Sequence, residues 1–460
     1  MKKNAYSPSR RKFLGNAAAA AITPPFILRS LGSFGPGAQP GKRLRHASIG
    51  VGGMGAHDLQ NFKSHPQVDI VAICDVDAGH LKSAAAVVPG ARTYRDWREL
   101  LEKEKDNIDS VNVTVPDHNH FIIASHAIAA GKHVYCQKPL CHDVAEVRAL
   151  TRAAVRAGVV TQLGTQVAAT VGDRTGVQWL REGIVGKIKH AYLCSNRPGA
   201  VEAYRLVGPR PAKGETPPAE LNWEIWTGTA PMRPYAPGIY HPTKWRAWQD
   251  FGTGWSGDIG CHIFDPVWKG LELKTPLSVT AEVQQSWRDS PARRGDTWPQ
   301  SNHITWKFPP SERTDPGGLT VEWFDGEFYP PEEIRALYSV EKYPAESSIL
   351  IGSEGALLIP HQGTPVLLPE SKFKDHKRPD MQDQNHYHNF VNACLGGPGT
   401  ESFFARSGPM TETVLLGTVA IRVPDTLLEW DAEHLKFPNH PEAEKYLRRS
   451  YRHGWDDIKV

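Results

Sequence analysis

A glycine-rich turn between a predicted strand and a predicted helix constrains the fold of this chain more than any other feature. Residues 50–55 read Gly-Val-Gly-Gly-Met-Gly and directly follow an apolar run at residues 47–49. Asp75 ends the next predicted strand, 20 residues after Gly55. A G-x-G-x-x-G turn in this context, with an acidic residue at this distance, predicts a βαβ unit that binds a dinucleotide.

Backbone and side-chain groups would share the binding of that dinucleotide. The glycines permit a tight turn, close approach of a pyrophosphate and close packing of the helix, whose N-terminus then faces the phosphates. Asp75 would accept hydrogen bonds from the adenine ribose and repel a 2′-phosphate, so we expect NAD rather than NADP. A turn without a ligand would explain the glycines alone, but not the strand, the spacing and the acid together. The candidate cofactor-binding residues here are Gly50, Gly52, Gly53, Met54, Gly55 and Asp75.

Apolar and helical runs alternate from about residue 45 to residue 164. This alternation predicts an N-terminal Rossmann domain, a doubly wound parallel sheet with helices. The predicted strands are residues 47–49, 68–74, 110–115 and 133–136, and the predicted helices are residues 56–62, 78–88, 97–101, 121–130 and 144–158.

After residue 164 the sequence becomes richer in strand-like runs, at residues 191–195, 277–286, 301–308 and 319–324. Because no regular helices are predicted between these runs, they indicate a C-terminal α+β domain with a mostly antiparallel open sheet. We therefore predict an NAD-binding domain at residues 45–164 and a substrate-binding and oligomerisation domain at residues 165–460. A homo-oligomer, either a dimer or a tetramer, is expected.

The N-terminal segment has the pattern of an export signal. Arg10 and Arg11 stand in the run Ser-Arg-Arg-Lys-Phe-Leu, and an alanine-rich apolar stretch follows at residues 17–28. This pattern predicts a twin-arginine signal at residues 1–32, a glycine- and proline-rich linker at residues 33–44, and a periplasmic or extracellular location. The partner would be the twin-arginine export machinery. A chance arginine pair before a helix is the alternative, and the absence of an A-x-A site leaves cleavage open.

Charge and cysteine usage exclude several classes of protein. The net charge is only +3, from 53 basic and 50 acidic residues. The chain therefore lacks the basic stripe that would predict nucleic-acid binding. The six cysteines lack CxxC or metal-ligand spacing, and we expect them to be buried and free. No later segment has the ~18 to 20 consecutive apolar residues of a membrane span, which predicts a soluble mature protein.

Two motifs carry candidate catalytic groups. Lys138 follows the predicted strand at residues 133–136, and this fold presents reactive groups at the carboxyl ends of its strands. A surface lysine before Pro139 is the alternative, although a cis bond to proline would fix the orientation of the lysine. Asp258 and His262 are four residues apart, so a helix opened by Asp258 would place a carboxylate and an imidazole on one face.

Asp258 and His262 also have two less reactive explanations. Asp258 could cap the helix while His262 packs in the core, or both could bind a metal ion. No third ligand accompanies them at a suitable spacing, so we predict no metal site.

The glycine turn, the Gln137-Lys138-Pro139 motif and the Asp258-x-x-x-His262 motif, in this order, resemble the Gfo/Idh/MocA family of glucose–fructose oxidoreductases and inositol dehydrogenases. The resemblance extends over essentially the whole chain after the linker. It includes residues 245–254, 412–422 and 428–431, which are typical of the twin-arginine-exported members.

The resemblance implies roles for individual residues. Lys138 would bind and polarise the reacting hydroxyl, His262 would be the general base or acid, and Asp258 would orient the substrate or the imidazole. The additional residues that it implies near the cofactor are Pro116, the 117–120 region with His120, Gln137 and Lys138. The family usually has Glu where this chain has Gln137, which removes a negative charge beside the lysine.

These features lead to one main functional hypothesis and two alternatives. The main hypothesis is an NAD-dependent oxidoreductase that acts on a hydroxyl or keto group of a sugar, glycoside or polyol. The first alternative is a glycosidase or lyase that uses tightly bound NAD for transient oxidation of a glycoside at C3. The second is a non-catalytic sugar-binding protein.

Overall fold

The fold is described from a computed structural model, which covers residues 42–197 and 210–455. The predicted export signal and residues 33–41 of the predicted linker lie outside the described residues. Within those residues, no helix is both long enough and apolar enough to cross a membrane. All six cysteines are free and buried, as expected.

The N-terminal part forms a six-stranded parallel sheet in the order β3-β2-β1-β4-β5-β6, which confirms the predicted Rossmann topology. Two three-residue strands, β3 (Arg92–Tyr94) and β6 (Thr161–Leu163), were not predicted, because their mostly polar sequences form no apolar run. The sheet ends at Leu163, close to the predicted boundary at residue 164. The strands are β1 (Leu44–Ile49), β2 (Val68–Cys74), β3 (Arg92–Tyr94), β4 (Ser110–Val113), β5 (His133–Cys136) and β6 (Thr161–Leu163).

Helices connect these strands, and local signals fix several of their ends. The Asp77 carboxylate accepts the N–H groups of Gly79 and His80 at the start of α2 (Ala78–Val87), and Asp143 caps α5 (Val144–Ala157) by accepting the N–H of Glu146. Gly158, in the left-handed region, ends α5. The helices of this part are α1 (Met54–Lys63), α2 (Ala78–Val87), α3 (Trp97–Lys103), α4 (His120–Ala129) and α5 (Val144–Ala157).

The C-terminal part forms an eight-stranded sheet in the order β13-β12-β11-β7-β10-β9-β8-β14. Strands β7 and β10 pair in parallel and the other pairs are antiparallel, which confirms a mostly antiparallel sheet. The four predicted runs correspond to β7–β10. The strands are β7 (Ile188–Ser195), β8 (Ser278–Val283), β9 (Asn302–Phe308), β10 (Leu319–Asp325), β11 (Glu346–Gly352), β12 (Ala356–Pro360), β13 (Val366–Leu368) and β14 (Leu428–Glu429).

The C-terminal part also contains regular helices, so the expectation of none between its strands is wrong. The longest are α8 (Gly254–Leu271) and α14 (Phe404–Arg422), and α8 is buried along its whole length. The helices of this part are α6 (Val171–Glu182), α7 (Trp223–Thr227), α8 (Gly254–Leu271), α9 (Gln285–Arg288), α10 (Pro291–Arg294), α11 (Glu332–Arg335), α12 (Glu370–Phe373), α13 (His386–Cys394) and α14 (Phe404–Arg422).

The last helices return to the Rossmann part and fix one part against the other. Helix α14 packs on both α5 and α8, and Arg148 of α5 pairs with Glu412 of α14 at 2.6 Å. Helix α13 packs on α1, where Phe390 joins a buried cluster with Leu44 and Phe62. This packing holds the carboxyl edge of the parallel sheet opposite helix α8, with a cavity between them.

Candidate active site

A cavity of about 520 Å³ lies where β1, β2, β4 and β5 end. The crevice outside the carboxyl ends of the strands is where this topology binds ligands. The glycine turn and Asp75 line one end, which we call the glycine-loop end. Lys138, Asp117 and His262 line the other, which together with Asp258 we call the lysine end. Residues of the C-terminal part close the cavity, namely Trp226, His241, Thr243, Trp245 and Arg246.

The glycine turn is shaped by close backbone contacts that leave no room for a side chain at Gly50 or Gly55. Gly50 has φ 81°, and an added Cβ would lie 2.1 Å from the carbonyl oxygen of Thr114. A Cβ on Gly55 would lie 2.1 Å from the carbonyl oxygen of Gly50. Gly53, at the start of α1, faces open space, with nothing within 4 Å of an added Cβ. The turn therefore exposes bare backbone and a helix N-terminus to the cavity, as a pyrophosphate site requires.

Asp75 lies at the end of β2 and lines the cavity beside this turn. Its Oδ2 accepts the N–H groups of Val51 and Gly52 at 2.9 and 3.2 Å, and its Oδ1 accepts that of Asp77 at 2.9 Å. The carboxylate is thus fixed by the backbone of the glycine turn. Met54 also lines the cavity.

Lys138 and Asp258 meet at the lysine end although they are 120 residues apart in sequence. Lys138 follows β5 and its peptide bond to Pro139 is cis. Its ammonium group forms an ion pair with Asp258 Oδ1, and Arg246 Nε lies 3.2 Å from Asp258 Oδ2. The side chains of Lys138 and Asp258 are only 14% and 9% exposed, so water screens this pair weakly. Two cations therefore hold the one carboxylate.

His262 lies one turn after Asp258 on α8, as predicted, but the helix begins at Gly254 rather than at Asp258. Asp258 is therefore inside the helix and does not cap it. The Nδ1 atom of His262 is buried and has no hydrogen-bond partner among the described residues. Burial, with additional repulsion from Lys138 and His361, lowers the pKa of His262 well below its usual range. The imidazole is thus neutral near pH 7.

Asp117 is a further titratable group at the lysine end. It follows β4, and its Oδ2 accepts the N–H and the hydroxyl of Thr253 at 3.2 and 3.0 Å. Burial, and then the nearby charge of Asp258, raise the pKa of Asp117 to about 7. The resemblance placed this region near the cofactor but gave Asp117 no role. The available signal was its position after a strand of the parallel sheet, the same position that identified Lys138.

Gln137 lines the cavity, and its side-chain amide binds a carboxylate that the sequence analysis missed. Its Nε2 lies 2.9 Å from Oδ2 of Asp58, which is fully buried in α1. Asp58 also accepts the hydroxyls of Thr114 and Tyr387, each at 2.7 Å. A glutamate in place of Gln137 would face this buried carboxylate. Burial raises the pKa of the Asp58 carboxyl, to which the neutral Gln137 amide donates a hydrogen bond.

The other two predicted cofactor-binding residues occupy different positions. Pro116 lines the cavity. His120 is buried behind the cavity wall, with its ring nitrogens 2.8 Å from the carbonyl oxygens of Pro139 and Val115. His120 thus braces the segments that carry Lys138 and Pro116, and direct contact with a cofactor stays a prediction for it.

The described residues fit a dinucleotide such as NAD. The glycine turn leaves space for a pyrophosphate, and Asp75 stands at the end of β2, where a ribose is bound in this topology. The lysine end would then face the nicotinamide portion. Sequence reasoning missed Trp226, His241 and Trp245, which cover the cavity from the C-terminal part.

Known proteins resemble the chain in sequence and in fold. D-apiose dehydrogenase of Paraburkholderia graminis is 30% identical over 145 residues, which are 32% of this chain and 38% of that protein. A glycosyl hydrolase family 109 protein of Stenotrophomonas maltophilia is 27% identical over 196 residues, which are 40% of this chain and 41% of that protein. The chain spans about two fifths of the length of these curated relatives.

A solved structure extends the likeness in fold to most of the chain. An inositol dehydrogenase homologue of Azotobacter vinelandii, complexed with NADH and myo-inositol, superposes with a TM-score of 0.57 at 16% identity. The superposition covers 85% of this chain and 98% of that one.

The two parts of the chain match the two domains of one family. Residues 44–165 match its NAD-binding Rossmann fold domain, and residues 181–298 match its C-terminal alpha/beta domain. These regions together make up more than half of the chain; the first contains the whole parallel sheet, and the second contains strands β7 and β8 of the C-terminal sheet. The chain therefore belongs to the Gfo/Idh/MocA oxidoreductase family and contains an NAD-binding Rossmann domain.

Proposed function

We propose that this protein is an NAD-dependent oxidoreductase that oxidises a hydroxyl group of a sugar, glycoside or polyol, or reduces the corresponding ketone. The observation that carries the proposal is the meeting of Lys138, Asp258 and His262 at the end of the cavity opposite the glycine turn. D-apiose dehydrogenase, among the relatives, and the inositol dehydrogenase homologue, among the related structures, support this substrate class.

The protein's own residues would bind the substrate and move one proton. The Lys138 ammonium, held by Asp258, donates a hydrogen bond to the reacting oxygen and stabilises negative charge that develops on it. The neutral His262 imidazole accepts the hydroxyl proton during oxidation and returns it during reduction. When NAD is bound, its nicotinamide supplies the hydride acceptor.

The direct test uses purified protein without added cofactor. Mass spectrometry of the denatured protein identifies any bound dinucleotide, and absorbance at the NADH band is then followed with a panel of polyols, sugars and glycosides plus NAD. We expect NAD and net formation of NADH with at least one member of the panel. If NADP were bound, or if no member changed the redox state of bound or added NAD, the proposal would be wrong.

A second candidate function is that of a glycosidase or lyase that uses tightly bound NAD for transient oxidation of a glycoside. It is supported by the similarity to the glycosyl hydrolase family 109 protein. In this reaction a glycoside is oxidised at C3, the acidified C2 proton is removed, and the aglycone leaves from C1. Addition of water and reduction at C3 then restore the cofactor. Glycoside cleavage without net NADH would favour this function, whereas accumulation of NADH and ketone would favour the dehydrogenase.

We also propose that the chain is exported by the twin-arginine route and acts as a homo-oligomer outside the cytoplasm. The Arg10-Arg11 motif supports export. Replacing both arginines with lysine keeps the charge but removes the recognised pair, so the precursor should stay in the cytoplasm. Cell fractionation measures the share of precursor that stays in the cytoplasm. The control carries Lys2→Arg and Lys3→Arg, which also conserve charge but leave the arginine pair intact. Unchanged delivery of the double lysine variant would contradict the assignment.

A further inference from the structure

Three metal-binding side chains stand together at the rim of the cavity, beside Asp75. Asp77, His80 and His241 each offer one ligand atom, and these atoms all lie within 4.8 Å of one another. Asp77 and His80 belong to the start of α2, whereas His241 comes from the C-terminal part. His80 and His241 both line the cavity. The cluster therefore joins the two parts of the chain at the glycine-loop end.

The separations suit a small divalent ion with nitrogen and oxygen ligands. His241 Nε2 lies 3.0 Å from Asp77 Oδ2. Two atoms bound to one zinc ion at about 2.0–2.1 Å in tetrahedral geometry lie about 3.3 Å apart, so this pair already has nearly the required separation. The ligand atom of His80 lies within 4.8 Å of the other two, and its side chain is 33% exposed.

Neighbouring groups hold two of these ligands in position. The second oxygen of Asp77, Oδ1, accepts the N–H groups of Gly79 and His80, which fixes the plane of the carboxylate. His80 Nδ1 lies 3.7 Å from Asp75 Oδ1, so a carboxylate stands beside this histidine. A carboxylate behind a histidine ligand is the usual outer shell of a zinc site, because it orients the ring and strengthens its basicity.

We propose that Asp77, His80 and His241 bind a divalent transition-metal ion, of which Zn²⁺ is the representative. The ion ties the C-terminal part to the Rossmann domain at the rim of the cavity and slows release of the dinucleotide. Two histidines and one carboxylate are a common ligand set for such ions. Residue spacing does not indicate this site, because His241 is 161 positions from His80. The proposal concerns retention of the cofactor and does not depend on the substrate.

Metal binding is tested first, on tag-free protein freed of metal with a chelator. Titration with Zn²⁺ by calorimetry, and with Co²⁺ by its visible absorption, should give one specific site per chain. His241→Gln and Asp77→Asn should each weaken binding at least tenfold. Asn still caps a helix, so Asp77→Asn is the variant that best preserves the fold. The matched control is His57→Gln, an exposed histidine on α1, which should bind as the parent does.

Cofactor release is the second readout and needs no turnover. Protein loaded with NADH is mixed with excess NAD, and the loss of bound NADH fluorescence gives the release rate. Zn²⁺ should slow release at least tenfold in the parent and in His57→Gln, but not in His241→Gln. Equal Zn²⁺ binding by parent and His241→Gln would overturn the site. Specific binding with an unchanged release rate would overturn the role in retention.

Discussion

The two ends of the cavity are built in opposite ways. At the glycine-loop end, residues within one stretch of 26 positions present backbone N–H groups, and even the Asp75 carboxylate is held by that backbone. At the lysine end, charged side chains from both parts of the chain hold one another, with Lys138 and Asp258 120 positions apart. The backbone groups of the glycine-loop end depend on local chain conformation, whereas the charged groups of the lysine end depend on packing between domains. Substitutions should therefore separate cofactor binding from chemistry.

The largest effect is expected at the lysine end and should be confined to chemistry. Lys138→Met or His262→Ala removes a group positioned for proton transfer, so hydride transfer should fall roughly 10²- to 10⁴-fold. Affinity for NAD should change little, because the glycine turn and Asp75 remain. The measurement is a single-turnover absorbance change with a substrate that the parent oxidises, after calorimetric determination of NAD affinity. Near-normal transfer in either variant would show that its assigned role is wrong.

At the glycine-loop end, a substitution should damage folding and binding together. Gly50→Ala would place a Cβ against the Thr114 carbonyl in a left-handed backbone conformation, at a cost of roughly 3 to 5 kcal/mol from strain and overpacking. The matched control is Gly131→Ala, where φ is 73° but nothing lies within 4 Å of the added Cβ. Denaturant unfolding and NAD titration compare the two. If both variants lost equal stability, the close contact at Gly50 would be unimportant.

The same contrast explains what the sequence could predict. The glycine-loop end is encoded by local spacing, so its strands, turn and acid were all identified. Lys138 was found because it follows a strand of the parallel sheet. Arg246 and His241 could not be predicted, because their positions depend on how the C-terminal part packs over the cavity. Asp58 was missed because nothing in the spacing indicates which buried group faces Gln137.

Helix α8 shows a further limit of sequence patterns. It contains several glycines and Pro266, residues that have low helix propensity, and its burial on all sides removes the polar stripe of an amphipathic helix. Packing against α6 and α14 stabilises it instead. This is why the start of the helix was predicted four residues too late, at Asp258 rather than at Gly254.

Asp117 should make stability depend on pH at the lysine end. Its pKa is raised to about 7, so the folded state holds the proton more tightly than the unfolded state, and stability is lost as pH rises from about 4 to about 7. Asp117→Asn removes this ionisation and keeps an acceptor for Thr253. As the pH rises from 5 to 8, the free energy of unfolding of the variant should increase by roughly 2 to 4 kcal/mol relative to that of the parent.

Denaturant unfolding at several pH values measures the difference between Asp117→Asn and its parent. Asp143, whose pKa is also raised to about 7, contributes the same trend to both proteins, so its effect cancels in the comparison. A difference that does not change with pH would mean that Asp117 ionises normally in the folded protein.

The smallest effect is expected for cofactor choice at the glycine-loop end. Asp75→Asn removes the charge that would repel a 2′-phosphate but keeps an oxygen for the N–H groups of Val51 and Gly52. The preference for NAD over NADP should shrink by an amount on the order of 1 to 3 kcal/mol. Asp75→Ser also loses those loop hydrogen bonds, so it should weaken binding of both cofactors as well. Calorimetric titration of each variant with each cofactor separates two effects of Asp75, its repulsion of a 2′-phosphate and its hydrogen bonds to the glycine turn. A parent that binds NADP more tightly than NAD would contradict this account of Asp75, because its carboxylate would then not be the group that excludes the 2′-phosphate.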